Sequence, residues 1–189
     1  LNKDIPLTSV IYFLRSRLGI ASQILPMTDQ PVATMIETAD GTLAFQDYFV
    51  RRRQADDVTG VTFAGIENAL PTEPATTALD QADLILLAPS NPIVSIGPIL
   101  AIPTYRNALA NRTSPAIAVS PIIGGKALKG PADRMLASLG HESSALGIAR
   151  MYQGLIDGLV IDQQDADLAP AIEALGIRTL TTDAIMHDI

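Results

Sequence analysis

The sequence predicts an α/β chain: an open parallel sheet with a hairpin element inserted ahead of it. Three observations predict it. Leu84-Ile85-Leu86-Leu87-Ala88 is a short apolar run between Asp83 and Pro89, the pattern of a strand buried on both faces of a helix-covered parallel sheet. Ala116-Ile117-Ala118-Val119 repeats it, and Gly158-Leu159-Val160-Ile161 repeats it more weakly. Segments of helical spacing separate these runs, and strands alternating with helices assemble as right-handed βαβ units.

Element by element, Leu7, Ile11, Leu14 and Leu18 recur at i, i+4, i+7 and i+11 and predict a helix over 8–18, with Gly19 as its stop. A short strand is expected at Ser22–Leu25. Val32–Thr38 and Thr42–Gln46 flank Asp40-Gly41, a two-residue hairpin signal, because glycine supplies the positive φ of a type I′ turn. Val58–Phe63 reads as a further strand, and residues 30–65 read together as an insertion or sheet extension. Pro74–Gln81 reads as a short helix. Further helices are expected near 131–139, 144–156 and 168–175, with Pro131 at a first helical position and Ser143 as a cap. A last strand falls near Arg178–Thr181.

Composition narrows the function. The 189 residues suit one domain, for which ~100–200 residues are usual. A hydrophobic content of 48% against 17% charged residues permits a sizeable core and argues against disorder. With aromatics at 4%, that core is aliphatic. Cys is absent, which excludes disulfides, thiolate metal sites and Cys nucleophiles and fits a reducing compartment, so a cytoplasmic location is expected. The two histidines, His141 and His187, rule out a multi-His metal site. A net charge of −7 argues against nucleic-acid and anionic-membrane partners. No apolar run approaches the ~20 residues of a membrane span. Leu1-Asn2-Lys3-Asp4 has no apolar h-region, and a first residue other than Met leads to the expectation of a fragment or a processed chain.

In open α/β sheets ligands sit outside the carboxyl ends of the strands, so the loops after them carry the candidates. The loop 89–98 holds Ser90 and Asn91 at a strand tip, then Ser95 at an apparent helix start. An ordinary polar turn with a cap is the plainer alternative. The loop 120–131 packs Gly124, Gly125, Lys126, Lys129 and Gly130 into seven residues. Glycines let backbone N–H groups approach an anion and lysine adds a point charge, so a phosphate is the natural guest. A flexible turn with solvated lysines is the alternative here. Neither G-x-x-x-x-G-K-[ST] nor G-x-G-x-x-G is present, and G-x-S-x-G is absent too. Arg51-Arg52-Arg53 reads as a solvated helix end before an anion site, and Asp162, Asp165 and Asp167 read as capping residues before magnesium ligands. His141 reads as a surface residue. From these residues alone the reading stops at an α/β domain for a phosphorylated or nucleotide ligand. A nicotinamide-binding oxidoreductase domain and a non-catalytic homologue are the rival classes; the first lacks its glycine-rich turn.

Five strings carry the reading further: APSNPIVSIGPILAIP, AVSPIIGGKALKGPADRML, LPMTDQPVATMIET, FQDYFVRRR and ARMYQGLIDGLVIDQQDA. Taken in their order along the chain, and spread across nearly all of it, they resemble the 2-phospho-L-lactate transferase (CofD/FbiA-type) family. Thr104-Tyr105 departs from it, where the family has Gly and an aliphatic residue before the arginine.

The resemblance implies a Rossmann-like parallel sheet with an extra, largely helical element, commonly in a homodimer. It implies a step of coenzyme F-420 biosynthesis, in which 2-phospholactate or phosphoenolpyruvate passes from a guanosine-diphosphate-activated donor to the deazaflavin Fo. GMP leaves and magnesium assists. Ser90, Asn91, Ser95, Gly124, Gly125, Lys126 and Lys129 become the expected donor-nucleotide residues. Residues 1–189 then correspond to the C-terminal portion of one transferase domain, with the first strand, its glycine-rich loop and the catalytic carboxylate expected upstream and the isolated fragment expected to be inactive.

Overall fold

The computed structural model describes residues 5–185. Two sheets and a small hairpin are arranged around three apolar clusters. The helix α1 (Leu7–Arg17) opens the described chain. Its N-terminus is capped from a distance, since Asp29 Oδ1 accepts from the Thr8 N–H at 2.7 Å and from its hydroxyl at 2.9 Å. None of its residues is buried: of the apolar positions that predicted the helix, Leu7, Leu14 and Leu18 are exposed and Ile11 alone is partly covered.

The expected strand at Ser22–Leu25 does not form. Donors from elsewhere tie this stretch and the residues after it. Arg15 donates to Ser22 O, Thr72 Oγ1 to Pro26 O at 2.7 Å, and Tyr105 Oη to Met27 O at 2.6 Å. These are side-chain bonds rather than a strand ladder.

The hairpin forms, one residue out of the expected phase. Strands β1 (Ala33–Thr38) and β2 (Gly41–Ala44) pair antiparallel around the turn Ala39-Asp40, because Gly41, at φ 121, already pairs with Thr38; neither turn residue has the positive φ of a type I′ turn. β3 (Val58–Ala64) joins on the other side of β1. A single π-helical turn, Asp47–Arg51, links β2 to β3. Ile36, Tyr48 and Val58 pack with Met135 in one cluster, which fastens this layer to the rest of the chain.

After the helix α2 (Glu73–Asp80), the parallel sheet begins. Its strands are β4 (Ile85–Leu87), β5 (Ala116–Val119), β8 (Gly158–Asp162) and β9 (Arg178–Thr182), in the order β4-β5-β8-β9, all parallel. The helices α3 (Ile96–Ala101) and α4 (Pro103–Ala110) connect β4 to β5. Sequence reasoning missed α4, which starts on Pro103 as a good first-turn residue. A short hairpin, β6 (Ile122–Ile123) and β7 (Lys126–Ala127), follows β5 and leads to α5 (Ala132–Ser138) and α6 (Ala145–Tyr152).

Three helix details differ from expectation. Pro131 precedes α5 instead of opening it. Ser144, not Ser143, caps α6 by accepting from the Gly147 N–H at 3.0 Å, a contact worth about 1 kcal/mol. The third helix is split into a 3₁₀ segment, Gln163–Leu168, and the helix α7 (Ala169–Glu173), because Pro170 can enter only a first turn.

Register decides which face is core. Leu87, Ala118 and Leu159 lie across from one another and are buried with Leu136, Ile148 and Ile172 of the helices. On the opposite face, Leu86 and Leu180 are each 61% exposed. The expectation that Leu84–Ala88 is buried on both faces is therefore corrected: β4 is an edge strand covered on one side. Among the described residues, no helix is long and apolar enough to cross a membrane.

Candidate functional site

A cleft of about 500 Å³ opens beyond the carboxyl ends of the parallel strands. Pro89, Ser90 and Asn91 reach it from the end of β4, Ser120 and Pro121 from the end of β5, and Ala184 from beyond β9. The residues 127–132, between β7 and α5, form another side. The inserted layer contributes Phe45 and Phe49. The two loops singled out in the sequence thus converge on one site.

Asn91 shapes the first loop. Its Oδ1 accepts from the Ile93 N–H at 2.9 Å and the Val94 N–H at 3.2 Å, and its Nδ2 donates weakly to Met135 Sδ at 3.6 Å. An asparagine turning the chain on its own backbone is an Asx turn. Ser95 stands before α3 without a side-chain capping bond and lines the cleft with Ser90. Ser120 is buried with its hydroxyl committed, donating to Ile122 O at 2.8 Å.

The second loop divides. Lys129 and Gly130 line the cleft, whereas Gly124, Gly125 and Lys126 form the turn and outer strand of the β6–β7 hairpin. Gly124 and Gly125 have φ 56 and 79, the left-handed region that favours glycine in such a turn. The Gly124 N–H donates to both carboxylate oxygens of Asp165, at 3.2 and 3.1 Å, so this amide already has an anionic partner. Ser143, which does not cap α6, donates to Gly125 O at 3.0 Å and holds the turn from the other side.

Asp165 is the residue that sequence reasoning undervalued; its distance of 41 positions from Gly124 hides the contact. It is 5% exposed, and burial pushes its carboxyl above the usual range, opposed by the Gly124 N–H. Asp162 behaves in the reverse way. Backbone N–H donation from Gln164 and then Ala184 holds its carboxyl below the usual range. Backbone donors thus engage oxygens of both carboxylates, and among the described residues no group of three Asp, Glu or His is placed to hold a metal ion. Among the described residues no Asp, Glu or His lines the cleft either.

The arginine run stays apart from the cleft. Arg51 pairs with Asp47 at 3.3 Å and Arg52 with Asp56 at 2.8 Å. His141 is exposed, and His187 lies outside the described residues. Phe45 and Phe49 were not read from the sequence as site residues; their signal was the i, i+4 spacing of two phenylalanines in a chain with only four.

Comparison with known proteins fits this arrangement. Residues 2–184 match the family described as 2-phospho-L-lactate transferase CofD. The chain is 40% identical over 180 residues to a 2-phospho-L-lactate transferase of Methanosarcina mazei, covering 95% of this chain and 59% of that one. It is 38% identical over 189 residues to a phosphoenolpyruvate transferase of Streptomyces griseus, covering 97% and 59%. The chain therefore spans about three fifths of the length of the curated relatives it matches. A crystal structure of a UPF0052-family protein from Bacillus halodurans superimposes with a TM-score of 0.71 at 14% identity, over 97% of this chain and 62% of that one, which bears on the fold alone. By the match over its length and by these relatives, the chain belongs to the 2-phospho-L-lactate transferase CofD family.

Proposed function

We propose that this chain carries the donor side of a phosphoryl-transfer site. In this reading 2-phospholactate or phosphoenolpyruvate moves from a guanosine-diphosphate-activated donor to the deazaflavin Fo, in coenzyme F-420 biosynthesis. The observation that carries it is the convergence of the loops after β4 and β7 on one cleft, in a member of this family. The primary hydroxyl oxygen of Fo attacks the phosphorus bearing the three-carbon acid. The bond from that phosphorus to the bridging oxygen breaks, GMP departs with the bridging oxygen and its electron pair, and the hydroxyl proton passes to a base.

Catalysis of this kind rests on positioning and on stabilising charge at the phosphate oxygens. Lys129 supplies a cation, Ser90 and Ser95 supply hydroxyl donors, and Asn91 holds the loop that presents them. Gly124, Gly125 and Lys126 stand outside the cleft, in the turn and strand of the hairpin that leads to Lys129. A homodimer in the cytoplasm and a requirement for magnesium belong to the same reading.

The test is an assay of GMP release and Fo consumption with a GDP-activated donor, run with magnesium and with a chelator. Formation of GMP with loss of Fo supports the reading. Tight binding of NADH with none of GDP overturns it in favour of a nicotinamide-binding domain.

A further inference from the structure

Phosphate chemistry leaves part of the cleft unexplained. Phe45 and Phe49 line it, their rings 5.5 Å apart and inclined at 28°. Phe45 is half-buried and rests on the cluster of Ile36, Tyr48, Val58 and Met135. Phe49 stacks on Phe45 and stays 37% exposed. A ring braced from behind by a second ring, with open surface in a concave site, is a ready stacking surface. Aromatic rings pair in offset stacks with centroids ~4.5–7 Å apart, so a third ring can extend the same arrangement.

The backbone under Phe49 is unusual as well. Phe49 sits within the π-helical turn Asp47–Arg51, and single π turns are frequent at functional sites. The turn is closed by Arg53 and Gln54 in the left-handed region, at φ 50 and 59, although neither is glycine. Such conformations persist where surrounding contacts enforce them. Here the Gln54 N–H donates to Tyr48 O at 3.0 Å, and Gln54 Oε1 accepts from Arg134 Nη2 of α5 at 3.0 Å. The Asp47–Arg51 ion pair spans the turn itself. The effect is to present Phe49 on a fixed support beside Lys129 and Ser90, which line the same cleft.

We propose that Phe49, backed by Phe45, is the stacking platform for a fused heteroaromatic ring carried by one of the two substrates. The proposal rests on the transfer reading above, in which both substrates bear such a ring. Phe49 binds the ring, while Lys129 and the serines bind the charged part.

Calorimetric binding of three probes tests it: GDP, riboflavin as an available fused-ring stand-in for the deazaflavin, and inorganic pyrophosphate, which has no ring. The proteins are the unaltered chain, Phe49→Ala, Phe49→Leu and Phe49→Trp. Loss of a stacked ring is expected to weaken ring-bearing ligands by about five- to hundredfold. Phe49→Ala and Phe49→Leu should both show this, Phe49→Trp should restore binding, and pyrophosphate should change by less than about twofold. Phe49→Leu guards against collapse, because it keeps apolar volume without a ring. A loss confined to GDP assigns the platform to the donor, and a loss confined to riboflavin assigns it to the acceptor. Unchanged binding of both ring ligands in Phe49→Ala and Phe49→Leu overturns the proposal, as does failure of the unaltered chain to bind either. Ring binding that depends on Phe49, with tight binding of NADH and none of GDP, leaves the platform standing and removes the transfer reading instead.

Discussion

Asp165 grips Gly124: both oxygens of its buried carboxylate accept from one backbone N–H, 3.2 and 3.1 Å away and 41 positions earlier in the chain. The contact joins the segment after β8 to the turn of the β6–β7 hairpin, and through that hairpin to Lys129.

Removing the acceptor should therefore loosen the hairpin. Asp165→Ala leaves the Gly124 N–H unpaired and is expected to cost about 1–3 kcal/mol of stability. Asp165→Asn keeps an acceptor oxygen and should cost less. The sign with pH follows from burial, which raises the Asp165 pKa and disfavours its ionised form in the folded state. The wild-type residue loses stability relative to Asn as pH rises from the unfolded carboxylate range, about 3.9, through the folded value. Melting temperatures of both proteins at pH 4 and pH 7 check this. A gap that fails to move towards Asn at pH 7 contradicts it.

Lys129 and Lys126 should part company. Lys129 lines the cleft and Lys126 lies on the outer hairpin strand. Lys129→Ala is expected to weaken binding of a GDP-activated donor roughly ten- to hundredfold, the value of a charged hydrogen bond. Lys126→Ala should have the smaller effect. Titration calorimetry on the two variants decides, and equal losses would place the anion between both lysines.

Asn91→Ala should act through its loop. Two backbone N–H groups, of Ile93 and Val94, lose their acceptor. A lower melting temperature is expected together with weaker donor binding, and Asn91→Asp, which keeps Oδ1, should recover most of the stability. Normal stability with abolished donor binding in Asn91→Ala would instead place the amide on the ligand.

Asp157 fixes the entry to β5. Its Oδ2 accepts from the Ala116 N–H at 2.8 Å and from Arg112 at 2.7 Å. The Ala116 N–H first, then Arg112, hold its carboxyl below the usual range. A depressed folded pKa contributes stability above the unfolded value that is lost as pH falls through the folded one. Asp157→Asn should therefore be less stable than wild type at pH 7, with the difference shrinking in acid. The side chain is 46% exposed, so the effect is moderate and should fall with added salt. A difference independent of pH would show that shape rather than charge holds the site.

Legibility in the sequence followed the range of the forces involved. The apolar runs at 84–88 and 116–119 specify their strands locally, Asp40-Gly41 marks the hairpin though its turn falls one residue earlier, and the loops after those runs were legible as site candidates from topology alone. Ser22–Leu25 misled because donors far along the chain, Thr72 and Tyr105, hold the neighbouring backbone in place of a strand partner. The choice of Ser144 over Ser143 as cap turned on one residue of phase, which periodicity does not resolve. Phe49 was invisible as a site residue because its place depends on Met135, a residue of α5, packing against the inserted layer.

The open face of the parallel sheet has a practical consequence for anyone handling this chain. Leu86 and Leu180 lie uncovered on the four-stranded sheet of the described residues. Dyes such as ANS fluoresce on apolar surface of this kind, and that signal is ordinarily taken as the mark of a molten globule. The folded chain is expected to light up such a dye while melting cooperatively, so dye binding here reports on architecture and not on loss of packing. A double substitution, Leu86→Thr with Leu180→Thr, should dim the dye while leaving the melt as sharp as before.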